Sequence, residues 1–221
     1  MFWVLIQQGH CDDGLCFGRL PYTWPKDLSS AGDLNDYQML GTRKTFRYDQ
    51  PDPLFPFGWG LQYAGPFLLS SLSVIGPTGD AIAPCESVTF RVIVKNTGQQ
   101  NGAEVVQVYV RWLDAPVAAP ALELVQFDRV FVRAGEHVNT TLTVDPRRMA
   151  LLLPPRNISS TDVDQEQEDD VLPEWWVVSP LRMEFSIGTS QPTFGQTLSA
   201  IVSIGGGPSK RVADCASPRA T

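Results

Sequence analysis

The chain has 221 residues, 43% of them hydrophobic, which suffices for one ample domain or two small ones around a packed core. Its formal net charge is −7 and it contains no Lys/Arg-rich tract, so it lacks the clustered cations that a nucleic-acid partner or an anionic membrane surface would require. No apolar run reaches the roughly 18–20 residues of a membrane-spanning helix, so no membrane partner is expected either.

The opening Met1-Phe2-Trp3-Val4-Leu5-Ile6 has no basic flank, and it runs into Gln7-Gln8 without a small-residue cleavage pattern. It is not read as a signal peptide. Residues 1–17 show no sustained period and read as either a misassembled or a divergent start. Residues 18–25 suit a short strand, with Leu20, Tyr22 and Trp24 on one face and Pro21 and Pro25 confining it to an edge. Residues 26–46 are polar and turn-rich. From Arg47 to Tyr63, prolines fix φ, glycines permit unusual angles and aromatics want burial, so the stretch reads as an ordered connector. Tyr48, Phe55, Phe57 and Trp59 are expected to be its buried residues. Residues 1–65 cannot make a core of their own, and are expected to be poorly ordered or to lie on the domain that follows.

From Phe67 onward the period becomes two. Val88, Phe90, Val92 and Val94 alternate with Thr89, Arg91 and Lys95, although Ile93 breaks the outward set. Val106, Val108 and Val110 alternate with Gln107, Tyr109 and Arg111, which places the latter three outward. Val138, Leu142 and Val144 oppose Asn139, Thr141 and Thr143, and Leu181 to Ile187 repeats the pattern; Leu198, Ala200, Val202 and Ile204 supply a last strand. Strand-length runs separated by turn residues, with little helix period, predict an all-β antiparallel sandwich over 66–205. It is interrupted at 154–174 by an acidic insertion, Asp162 to Asp170, read as a solvated loop. An EF-hand-like calcium loop needs Gly at its sixth position, where Gln167 stands. Residues 206–221 read as a disordered tail.

Three motifs carry a resemblance. Gly18-Arg19-Leu20-Pro21-Tyr22-Thr23-Trp24-Pro25, then Phe46-Arg47-Tyr48 with Leu54-Phe55-Pro56-Phe57-Gly58-Trp59-Gly60-Leu61-Gln62-Tyr63, then Val94-Lys95-Asn96-Thr97-Gly98 with Gly102-Ala103-Glu104-Val105-Val106-Gln107-Val108-Tyr109-Val110 occur in the order seen in family 3 glycoside hydrolases. Phe127-Asp128-Arg129-Val130 and Ala134-Gly135-Glu136 continue the match. The chain resembles the β-xylosidase and α-L-arabinofuranosidase branch of that family over roughly residues 18–145, and more loosely to about residue 204. The resemblance implies a fibronectin type III-like (immunoglobulin-like) sandwich at 66–205, a connector at 46–65 and, at 1–45, the irregular terminal remnant of an α/β sandwich domain. It also implies an extracellular parent that hydrolyses terminal sugars of xylan or arabinoxylan with retention.

Such an enzyme needs an Asp on a barrel domain and a Glu on a sandwich domain, flanking one bond. Neither motif has a counterpart here, so no catalytic residue is carried over and the chain alone is expected to be inactive, without cofactor or metal. The implied partners are the parent's missing catalytic domains and a plant-type polysaccharide. No Ser or Cys stands in a nucleophile-elbow pattern with a His; His137 reads as a turn residue, and the spacing of His10, Cys11 and Cys16 does not suit a metal. Cys11 with Cys16, and Cys85 with Cys215, are candidate disulfides, the first pair being as readily free thiols. Asn139-Thr140-Thr141 and Asn157-Ile158-Ser159 are sequons, with Asn139 on the outward parity of its strand. Trp175 and Trp176, with Phe194, could offer an aromatic platform to sugar rings, although neighbours on a strand face opposite ways and packing is the commoner fate of such residues. The rival reading is therefore a free-standing carbohydrate- or protein-binding sandwich.

Overall fold

The computed structural model describes residues 18–31, 33, 35–36, 45–48, 52–62, 64–75, 81–153, 174–178 and 180–215. Strands β1 (Phe67–Ile75), β2 (Val88–Asn96) and β5 (His137–Val144) form one sheet in that spatial order. Strands β4 (Glu123–Val132), β3 (Gly102–Trp112), β8 (Leu181–Gly188) and β9 (Thr197–Ile204) form the second, in that order. All pairings within both sheets are antiparallel. A small third sheet, β10 (Lys210–Arg211), β7 (Glu174–Val177) and β6 (Leu151–Leu153), extends one end.

The core lies where the valine-rich faces meet. Val88, Phe90, Val92 and Val94 of β2 are fully buried, as are Val106, Val108 and Val110 of β3 and Met183, Phe185 and Ile187 of β8. The Phe90 and Phe185 rings touch across the sandwich with centroids 4.9 Å apart. At roughly 1.5–3 kcal/mol for each fully buried side chain of this size, the facing stripes are what holds the sheets together.

Two glutamines finish the open sides. Gln196 lies just before β9 and treats β1 as a strand partner: its Nε2 donates to the Leu69 carbonyl and its Oε1 accepts the Leu69 N–H, both at 2.8 Å. On the opposite side Gln126 of β4 donates through Nε2 to the Thr143 carbonyl of β5 at 2.8 Å.

Three expectations need correction. Gln107 and Tyr109 are not outward in the solvent but buried, so β3 is covered on both faces, because residues of the connector lie over the second one. Residues 18–25 do not form the short strand expected: only Trp24 among them makes a β-bridge, to Phe55, and Leu20 is buried while Tyr22 and Trp24 stay half exposed. Residues 206–215 are not a disordered tail: they carry β10, a 3-10 turn (Val212–Asp214) and Cys215, whose disulfide to Cys85 anchors them. The acidic run 162–170 and Asn157 lie outside the described residues, as do Cys11, Cys16, His10 and Tyr63.

Candidate functional site

The motifs found in the sequence meet at one seam. Gly58 packs against the outer face of β3 with φ +74, a conformation glycine adopts without steric cost. Gln107 Nε2 donates to the Gly58 carbonyl and to the Thr189 carbonyl, each at 3.0 Å, while the Tyr109 hydroxyl donates to Gln107 Oε1 at 2.5 Å. Phe46 and Phe57 stack on each other at 3.9 Å, and each meets the Tyr109 ring edge-on. Burial pushes the Tyr109 phenol well above its ordinary pKa, so it stays a neutral donor.

Upstream, residues 18–24 run alongside the connector. The Leu20 N–H donates to the Trp59 carbonyl and the Gly58 N–H to the Leu20 carbonyl, both at 2.8 Å. Arg19 donates to the Gly60 carbonyl at 3.0 Å and forms an ion pair with the buried Glu104 of β3. Burial lowers Arg19 to about 10, still far above neutral pH, so its guanidinium remains charged. Glu104 also accepts the Val105 N–H at 2.7 Å. A carboxylate committed to a cation and to its own strand is poorly placed for acid–base work.

Downstream, Asn96-Thr97-Gly98 clasps the connector's far end. Thr97 donates through its N–H and its hydroxyl to the Pro66 carbonyl, at 2.9 and 2.7 Å. The fully buried Asn96 side chain bonds Gln100, Val132 and Gly98 at 2.8, 3.1 and 2.9 Å. A Cβ on Gly98 would lie 2.2 Å from the Gly65 carbonyl oxygen, which is why a glycine stands there.

A second feature is an open cleft of about 1050 Å³ between β4, β5 and the small sheet, lined by Arg47, Glu123, Gln126, Asp145, Arg147 and Trp175 among others. The two tryptophans divide as strand geometry demands. Trp176 packs against the core, whereas Trp175 is 52% exposed and lines the cleft. Phe194 sits in the turn after β8 and is not part of that lining, so no three-ring platform forms. Asp145 caps the 3-10 turn Pro146–Met149 and pairs in bidentate fashion with Arg147, whose hydrogen bonds hold its carboxyl below the usual range. Arg47 pairs with Glu123 at 2.9 Å.

Asn139 is exposed on β5, and His137 is exposed at that strand's start, opposite Lys95. Among the described residues no cluster of three or more His, Cys, Asp or Glu could hold a metal ion.

Residues 104–191 match the family model of the fibronectin type III-like domain. The sandwich is a fibronectin type III-like domain. The sequence motifs' resemblance to glycoside hydrolase family 3 agrees with the proteins to which the chain is similar. The chain is 35% identical over 125 residues to a xylan 1,4-beta-xylosidase of Xylanibacter ruminicola, covering 57% of this chain and 13% of that protein. It is 38% identical over 144 residues to the thermostable beta-glucosidase B of Acetivibrio thermocellus, covering 60% of this chain and 18% of that one. Among solved structures, the GH3 beta-glucosidase of Bifidobacterium adolescentis matches with a TM-score of 0.60 and 26% identity, over 82% of this chain and 25% of that chain. The beta-glucosidase 3B of Thermotoga neapolitana, solved with glucose, matches with a TM-score of 0.63 and 24% identity, over 88% of this chain and 25% of that chain. The chain thus spans less than a fifth of the length of these curated relatives.

Sequence reasoning missed the role of Asn96, Glu104, Gln107 and Arg19. Polar residues inside motifs flanked by apolar runs were the available signal, but their partners lie at least 36 residues away for the longest-range bonds.

Proposed function

We propose that the chain is the C-terminal part of an extracellular family 3-type exo-glycosidase, β-xylosidase-like and acting on xylan or arabinoxylan-type chains, and that it supplies the accessory domain without a catalytic residue of its own. The seam carries this reading. A glycine fitted against Gln107 and Tyr109, an Arg19–Glu104 pair and the Asn96–Thr97–Gly98 clasp together fix residues 18–24 and the connector rigidly to the sandwich. Tyr22, Trp24, Leu54 and Leu61 are left 46–67% exposed on those same segments. Apolar side chains on a rigid ledge are what a neighbouring domain would cover, and the catalytic body is the neighbour the relatives suggest.

A xylosidase among the relatives supports the xylan assignment, and a beta-glucosidase of equal similarity is why the sugar needs a test. The Asn139 sequon is proposed as a glycan site on the exposed face of β5. The deciding experiment is the sequence of the transcript and of the genomic DNA upstream of the Met1 codon, paired with assay of the purified chain on aryl β-xyloside and aryl β-glucoside. An upstream frame that joins near residue 18 and encodes both carboxylate-bearing domains is expected, with no turnover by the chain alone. A firm transcript start at Met1, or turnover free of contaminating enzyme, overturns the reading.

A further inference from the structure

We infer that the cleft beside Trp175 is an oligosaccharide-binding site, in which the exposed indole stacks on one pyranose ring while the flanking Asp145–Arg147 and Glu123–Arg47 pairs hydrogen-bond the sugar hydroxyls. The inference goes beyond the accessory role above, because it requires the sandwich to bind sugar by itself.

The ring is presented by strand geometry. Trp176 points into the core, so Trp175 points out, and its register partner Leu152 on β6 is exposed beside it. An exposed tryptophan alone would mean little. This one stands in a concavity whose polar groups are already oriented. Arg147 Nε donates to Asp145 Oδ1 at 2.8 Å and its Nη2 to Oδ2 at 2.6 Å, so guanidinium and carboxylate lie edge to edge in one plane. Arg47 makes a single bond to its carboxylate, Nη2 donating to Glu123 Oε2 at 2.9 Å, and its buried Nε has no partner among the described residues.

Ligand class follows from these chemistries. A sugar hydroxyl both donates and accepts, so it suits a site where an N–H and a carboxylate oxygen are offered side by side, and a pyranose presents an apolar C–H face that matches an indole. A phosphate or carboxylate ligand would meet two of the three lining arginines, Arg47 and Arg147, already paired with carboxylates, Arg148 being the third. The volume of about 1050 Å³ reaches the upper end of the ~300–1,000 Å³ typical of small-molecule sites, which favours several linked rings over one.

The test is isothermal titration calorimetry of the full chain with xylohexaose and with cellohexaose. Saturable binding of at least one is expected. Trp175→Ala should weaken it at least about tenfold and Trp175→Phe should recover most of the loss, while Trp24→Ala, another half-exposed tryptophan set on the ledge outside the cleft, should leave it unchanged. Melting temperatures establish that each variant is folded. Should Trp175→Ala not fold, NMR titration of the parent chain substitutes, with the Trp175 indole N–H resonance expected to move on saturation. Absence of binding by both oligosaccharides up to about 10 mM, affinity unchanged by Trp175→Ala, or an unmoved indole resonance overturns the proposal. Such a failure returns the cleft to a protein neighbour and leaves the accessory-domain reading intact, since that reading rests on the upstream sequence and the activity assay.

Discussion

Gly58 and Gly135 share a backbone conformation, φ +74 and +75, but not a surrounding. A Cβ on Gly58 would lie 2.1 Å from Gln107 Oε1 and 2.7 Å from the Tyr109 hydroxyl, whereas one on Gly135 would meet nothing within 4 Å. Gly135→Ala therefore costs only the left-handed strain of about 1–2 kcal/mol, and Gly58→Ala adds the displacement of a buried hydrogen-bonded pair, about 1–3 kcal/mol more. Urea denaturation of the two variants side by side separates the terms; equal losses would mean that the seam yields without cost. This contrast also marks what could be read from the sequence. Alternation identified Val106, Val108 and Val110 as core but assigned Gln107 and Tyr109 to water, because a period of two records which residues share a face and not what covers that face. The covering residue is 49 positions earlier in the chain. Only the presence of a large aromatic on the supposed outer face hinted at a second layer.

At the scale of elements, β2, β3, β5, β8 and β9 were legible because each carries an alternating apolar stripe, and β2 and β8 are buried along the stripes their periods predict, whereas the short β6, β7 and β10 carry no such run. The clefts and clasps were not, because they are assembled from side chains of different elements. The Trp175 cleft takes Arg47 from the turn Phe46–Tyr48, Glu123 and Gln126 from β4, and Asp145 and Arg147 from the turn after β5. Asp145 holds that last turn together by accepting the Arg147 N–H at 2.8 Å while pairing with its guanidinium. Removing it by Asp145→Ala should cost about 1 kcal/mol at neutral pH, mostly the lost cap, since the partly exposed ion pair is screened by water. The sign of the pH dependence follows from the lowered pKa: the ionised form is the one stabilised by folding, so the contribution is complete above the ordinary carboxylate value of about 3.9 and is lost as pH falls through the lower folded value. Stability curves of parent and variant should run parallel above about pH 5 and converge on acidification; a gap that widens in acid would contradict the assignment.

For the whole molecule, the decisive link is one that periodicity cannot show. Cys85 precedes β2 and Cys215 follows the last turn, with a sequence separation of 130, so their disulfide closes a loop containing nearly the entire sandwich. Closing so long a loop removes much of the unfolded chain's freedom, about 4–5 kcal/mol on the chain-entropy account, against a total stability of about 5–15 kcal/mol for an ordinary domain. The bond also has a local task. β10 contributes only two registered pairs to β7, Lys210 with Val177 and Arg211 with Trp176, too few to hold a chain end against fraying without the covalent anchor at Cys215. The double variant Cys85→Ser, Cys215→Ser should therefore show two separable effects. Its midpoint in urea should fall by an amount equivalent to about 2–5 kcal/mol. Before that transition, amide exchange should become fast at Lys210 and Arg211 while Val92, Val108 and Phe185 in the core stay protected, because releasing β10 uncovers Trp176 at the edge of the small sheet but leaves the two main sheets facing each other. Protection of β10 equal to that of the core in the double variant would show that the small sheet holds by packing alone, and that the disulfide acts only on the unfolded state.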